Sequence, residues 1–190
     1  MALNIEDVYE LVDRAITFFS KDSWADKWKV QKGVFYFLWL YSVYKKLNFS
    51  EFAKILEIQP DKQGPYARAI EGEVECLIKD GYLQVRNPDQ KTMEVKAILP
   101  KGNELIEHVE NGEALILSQV KELIDKLDAY ELVFFIYFNP YIPPNIREYF
   151  ISNSEIKSTL IQRKDKYVKR LLEIGIIDSF MANKILESAK

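Results

Sequence analysis

A chain of 190 residues that is 48% hydrophobic and 29% charged is too apolar for a disordered protein, and long enough for one substantial core or two small ones. Its net charge of −3 argues against a protein that coats nucleic acid without specificity. The single cysteine, Cys76, excludes a disulfide framework and a multi-cysteine zinc site and fits a reducing cytoplasm. Near the N-terminus Glu6, Asp7 and Glu10 stand where a secretory signal would carry a basic segment and an apolar core. The longest apolar run, residues 34–41, falls far short of the roughly eighteen residues that span a bilayer. The expectation is a soluble cytoplasmic protein with no membrane partner.

Residues 5–19 predict a first helix, because Ile5, Val8, Leu11, Val12, Ala15, Ile16 and Phe19 recur at the spacing of one helical face. A second is expected over about 26–46. Its stretch Gly33-Val34-Phe35-Tyr36-Phe37-Leu38-Trp39-Leu40-Tyr41 is apolar on every side, which marks a central buried helix. Lys27, Lys29 and Lys32 at one end, and Lys45 and Lys46 at the other, are expected to keep its ends at the surface. Asn48 or Ser50 would cap a short third helix. Pro65 suits the first turn of a fourth, which buries Tyr66, Ile70, Val74, Leu77 and Ile78 and closes at Gly81.

Two alternating runs, 82–86 and 92–98, are split by Asn87-Pro88-Asp89-Gln90 and predict a β-hairpin. Two helices and a hairpin in this order, over 49–99, are the arrangement of a winged-helix unit. A long acidic helical pattern over 101–127 is weakened by Gly112. Asp128 and Glu131 then form a capping box before an apolar run, 132–138, read as a helix stopped by Asn139-Pro140. Helices at 145–151, 155–174 and 179–188 complete the chain, with Gly175 ending the second of them. The expected fold is mainly α with a small β-hairpin: a winged-helix-like domain over 1–110 and a C-terminal helical subdomain over 111–190.

Chemistry-bearing patterns are few. No phosphate-binding glycine loop, dinucleotide-binding turn or nucleophile elbow is present. His108, the only histidine, sits on the acidic helix without metal-ligand spacing to any partner, and Cys76 reads as a half-buried core residue. Pro88-Asp89 followed by Glu94-Val95-Lys96 echoes metal-dependent nucleases, in which paired carboxylates hold Mg²⁺ and a lysine polarises water. Here the gap is the hairpin turn itself, and the pattern reads as coincidence. No catalytic residue, metal or cofactor is expected. Trp24, Trp28, Phe35 and Trp39 share a helical stripe that could stack bases but reads more simply as core.

Cations offer the clearer signal. Residues 161–190 carry seven Lys and Arg against four Asp and Glu, whereas 101–160 carry five against ten. Arg163, Lys166 and Arg170 share one face of an amphipathic helix and could meet phosphates or an acidic partner. The hairpin adds Arg86, Lys91 and Lys96, and the fourth helix adds Arg68. Against DNA, that fourth helix, which would enter the major groove, also carries Glu71, Glu73, Glu75 and Asp80.

Three signals in order resemble the Panacea-type (DUF4065-like) winged-helix superfamily of small prokaryotic proteins. They are Lys29-Val30-Gln31-Lys32-Gly33-Val34-Phe35-Tyr36, then Gly64-Pro65-Tyr66, then Asp80-Gly81-Tyr82-Leu83 leading to Leu99-Pro100-Lys101-Gly102. The resemblance covers about residues 26–110 and implies a non-enzymatic module, in many relatives an antitoxin-like or regulatory protein that contacts a partner protein. The leading expectation is a regulator that binds double-stranded DNA through Arg68, Arg86, Lys91, Lys96, Arg163, Lys166 and Arg170. The alternative is a protein–protein interaction module. A homodimer would suit either.

Overall fold

Asn4 starts the first helix: its side chain accepts from the Glu6 backbone N–H, and Glu6 and Asp7 lie at the positive end of the helix dipole. The structure, a computed structural model, describes residues 3–61, 64–88, 92–151 and 154–188. Among them α1 (Ile5–Ser20) leads to a short strand, β1 (Ala25–Asp26), and the central helix α2 (Lys27–Lys45). α3 (Phe49–Ile55) is capped by Asn48, as expected. A small ribbon, β2 (Gln59–Asp61) and β3 (Gly64–Tyr66), precedes α4 (Arg68–Lys79) and the hairpin β4 (Leu83–Arg86) and β5 (Glu94–Ala97). Seven helices follow: α5 (Lys101–Ile106), α6 (Asn111–Lys126), α7 (Ala129–Phe138), α8 (Pro144–Arg147), α9 (Ser154–Gln162), α10 (Lys164–Glu173) and α11 (Ser179–Ser188). The fold is mainly α with small antiparallel β elements. No helix among the described residues is long and apolar enough to cross a membrane.

The chain forms two compact units, one from the described residues of Met1–Ile58 and Ala67–Asp125, the other from those of Gln59–Tyr66 and Lys126–Lys190. The expected boundary at 110/111 therefore lies just before α6, most of which belongs to the first unit. In that unit α2 is the most deeply buried helix, and α1, which packs on it, also adjoins α3, α4, α5 and β5. Asp26 caps α2 by accepting from the Lys29 N–H at 3.1 Å, and every residue from Val30 to Trp39 is buried. Lys32 is buried with them, at 1% exposure, and not at the surface as its charge suggested. Its ammonium lies 5.6 Å from the Trp28 ring centroid, and an aliphatic stem of that length packs as a hydrophobe.

α1 packs on α2 through Val8, Leu11, Val12, Ala15, Ile16 and Phe19, the stripe read from the sequence without its first member, since Ile5 is exposed. Phe19 meets Phe37 edge-to-face at 6.4 Å. Gly33 lets α6 approach: a Cβ there would stand 3.0 Å from Ile124 Cγ1, closer still to its Cδ1, and 3.3 Å from Phe19. Lys29 adds a hydrogen bond to the Ile124 carbonyl at 2.8 Å, Lys45 pairs with Glu110, and Arg14 pairs with the buried Glu113 at 3.0 Å. β5 lies between β1 and β4, so the hairpin has a two-residue third strand that carries no sequence pattern of its own.

In the second unit Asp128 and Glu131 close the capping box reciprocally, and the apolar run is a helix, as expected. The Phe134 ring meets those of Phe138 at 4.8 Å and Tyr167 at 5.0 Å, both tilted, with Leu160, Val168, Leu171 and Ile185 also buried. Arg147 fastens the loop after α7 by donating to the Asn139 and Ile142 carbonyls.

Four expected elements change. Pro65 lies in β3 opposite Pro60, not in α4. Having no N–H, the two prolines suit a non-hydrogen-bonded position of an antiparallel ribbon. The pattern over 101–127 is two helices, parted at 107–110 and not weakened at Gly112; Gly112 instead admits the Tyr44 ring. The helix expected over 155–174 breaks at Arg163, which has non-helical dihedrals of −102° and 7°. Residues 145–151 give only the short α8.

Replacing Gly33 by Ala gains about 1 kcal/mol of helix propensity but overpacks a full interior, at a cost of about 1–3 kcal/mol. Chemical denaturation is expected to show Gly33→Ala destabilised, and Gly33→Ala with Ile124→Val to be more stable than the two single changes summed, because valine lacks the clashing Cδ1.

Candidate recognition site

The inner side of α4 is set by Ile70, Val74 and Leu77, spaced to face the core. No side chain caps its start at Ala67. Its end is fixed by Gly81, which adopts φ +76°, a left-handed conformation open to glycine. The opposite side therefore carries Arg68, Gly72, Glu75, Cys76 and Lys79, of which all but Gly72 are exposed, and a Cβ at Gly72 would meet nothing within 4 Å. Cys76 is exposed, not half-buried, since it is adjacent to Leu77 on the helix and points away from the core.

Two of the acids that argued against DNA lie on the flanks and are occupied. Glu71 accepts from Lys27 Nζ at 2.6 Å across to the start of α2. Glu73 lies against Asp13 of α1. Burial pushes the Asp13 carboxyl up from 3.8 to about 7, with the Glu73 carboxylate and a hydrogen bond between the two side chains adding to it. The outward charges on α4 reduce to Arg68, Lys79 and Glu75, with Asp80 at the C-cap.

The ribbon is aligned by its register. Val85 faces Val95 and Leu83 faces Ala97 on the core side; Arg86 opposite Glu94 and Gln84 opposite Lys96 make up the other side. Arg86 is held twice there. It donates to the Glu94 carboxylate and lies over the Trp24 ring, 4.7 Å from its centroid. The hydrogen bond from Arg86 holds Glu94 below its ordinary range and raises Arg86 above its own. Trp24 thus serves the ribbon and, standing just before β1, does not belong to a helical stripe with Phe35 and Trp39, which are buried.

Of the residues expected to meet nucleic acid, Arg68 is exposed at the start of α4, roughly 17 Å along the helix axis from Lys79. Arg86 is engaged, Lys96 is half-buried on β5, and Lys91 lies outside the described residues, as does Asp89 of the nuclease-like pattern. Arg163, Lys166 and Arg170 belong to the other unit. The break leaves Arg163 at the N-cap of α10, while Lys166 and Arg170 lie within that helix. Arg170 stands 3.7 Å from Glu131, while Arg163 and Lys166 are exposed and form no ion pair among the described residues. His108 is exposed beyond α5 and not on a helix. Among the described residues no cluster of three or more His, Cys, Asp or Glu could hold a metal ion. Sequence reasoning missed Asp13 and set Trp24 in a helical stripe instead of beside the ribbon; the signal for Asp13 was a carboxylate set among the apolar positions of α1.

No family model matches the chain, and neither a curated protein nor a solved structure matches it.

With Cys76 on the outer side of α4, a maleimide is expected to label the native chain stoichiometrically, at a rate close to that of the urea-unfolded chain; time-resolved mass spectrometry reads both.

Proposed function

We propose that the chain is a non-enzymatic cytoplasmic binding protein of winged-helix type, which docks a partner protein on the outer side of α4 and the adjoining ribbon. What carries this reading is the charge economy of the first unit. Its segments hold 15 Lys and Arg against 20 Asp and Glu, and the ribbon's Arg86 is already committed to Glu94 and Trp24. Duplex DNA presents one phosphate per roughly 1.7 Å of axis and rewards arrays of free cations; this unit repels such a surface. A side chain row of Arg68, Gly72, Glu75, Cys76 and Lys79 has mixed sign and an open centre, which suits the polar, partly apolar surface of another protein. The resemblance to Panacea-type antitoxin-like modules supports the same assignment.

A second reading rests on α10. The second unit's segments hold 11 Lys and Arg against 9 Asp and Glu, and Arg163, Lys166 and Lys169 stand exposed on it. These could contact a phosphate backbone without reading bases.

One pair of measurements separates the two. With the full chain purified from native extract, a stoichiometric partner protein is expected that shields Cys76 from maleimide and is lost in Arg68→Glu/Lys79→Glu, a variant whose far-UV circular dichroism stays native. Anisotropy with a mixed-sequence DNA duplex at low salt is expected to show no binding. Tight, salt-dependent DNA binding abolished by Arg163→Glu/Lys166→Glu, with no protein partner, would replace the first reading by the second.

A further inference from the structure

α1 packs directly against α4, and where they meet two carboxyl groups converge without a cation of their own. Asp13 Oδ1 is buried and has no hydrogen-bond partner among the described residues. Glu73, from α4, lies within hydrogen-bonding reach of the Asp13 side chain. Glu10 and Arg14, from α1 itself, are the other charged groups that act on it most strongly, and none from α2, α3, α5 or β5, which also adjoin α1, ranks with them. Arg14 does not neutralise the pair, because its guanidinium is drawn to Glu113 of α6 at 3.0 Å and to Glu10 at 3.6 Å.

We propose that the Asp13 carboxyl, buried where α1 meets α4 and facing Glu73, holds a proton that is a latch fastening α4 to α1, released when the proton leaves for solvent. With the proton in place one carboxyl donates to the other and the interface is neutral apart from a single charge. Without it two carboxylates face each other in a half-buried seam, and like charges at that range cannot both stay ionised cheaply.

The direction follows from Asp13, whose carboxyl is displaced upward in the folded chain from 3.8 to about 7. The folded state binds this proton more tightly than the unfolded one. The contribution is fully present below about pH 3.8 and is lost as the pH rises through about 7. The loss accumulates between about pH 3.8 and about 7 and levels off above neutrality, so acidification from neutral pH tightens α4 on α1 while α2, buried over Val30–Trp39, stays fixed. The consequence for partner binding rests on α4 being the recognition element proposed above. The release itself is measured on the free chain, so the two can fail separately.

Amide hydrogen exchange of the full chain, expressed as protection factors corrected for intrinsic exchange, tests it at about pH 5.5 and about pH 8.5. Protection of the Val74 and Leu77 amides is expected to fall by about tenfold or more relative to those of Phe35 and Phe37, the change that one unit of displaced pKa produces. In Asp13→Asn it is expected to be the same at both pH values. Glu73→Gln, a second variant should the first fold poorly, is expected to shrink the fall as well. Equal protection of α4 in the unmodified chain at both pH values, or an undiminished fall in the folded variants, would overturn the latch.

Discussion

A helix that is apolar around its whole circumference has no stable place except inside other structure, and α2 meets that demand over Val30–Trp39. α1 covers it through a stripe ending at Phe19, and β1 leads straight into it. α6 covers it where Gly33 has no side chain to hold Ile124 away. α4, α5 and β5 pack in turn on α1. A hydrogen bond from Lys29 and ion pairs from Lys45 and Arg14 reach α6 and the residue just before it, and add register more than energy, except at Glu113, where a buried carboxylate depends on its arginine.

The parts of this fold that were legible are those written in periodicity and in end signals. The stripes of α1 and α4, the Asn48 cap, the capping box at Asp128 and Glu131 and the closure at Gly81 all act over one or two helical turns, so a single sequence carries them. What was illegible depends on distant partners. β1 has two residues and exists because β5 pairs with it. The break at Arg163 has neither proline nor glycine to mark it, and Lys32 looks solvated until the packing around α2 is known.

The candidate site was legible by element and illegible by charge. The order of helices and hairpin placed α4 beside β4, and the structure has that order. Counting acids along α4 could not reveal that Glu71 is taken by Lys27 and Glu73 by Asp13, because both partners lie far away in sequence. The same holds for Arg86, whose free appearance in the sequence conceals its place between Trp24 and Glu94. Formal charge along a chain is a poor guide to the charge a face presents once its neighbours have folded against it.

The ribbon β2–β3 is encoded between α3 and α4 yet belongs with residues 126 onward. Neither unit is therefore a continuous stretch of chain. During synthesis the ribbon emerges early and must wait for its companions until the whole first unit has left the ribosome. A fragment ending at 125 would hold the ribbon without the rest of its unit. The backbone is laced from one unit to the other and back again, so this is a molecule to be handled whole: genetic scissors applied at its apparent midpoint would cut through two half-built structures.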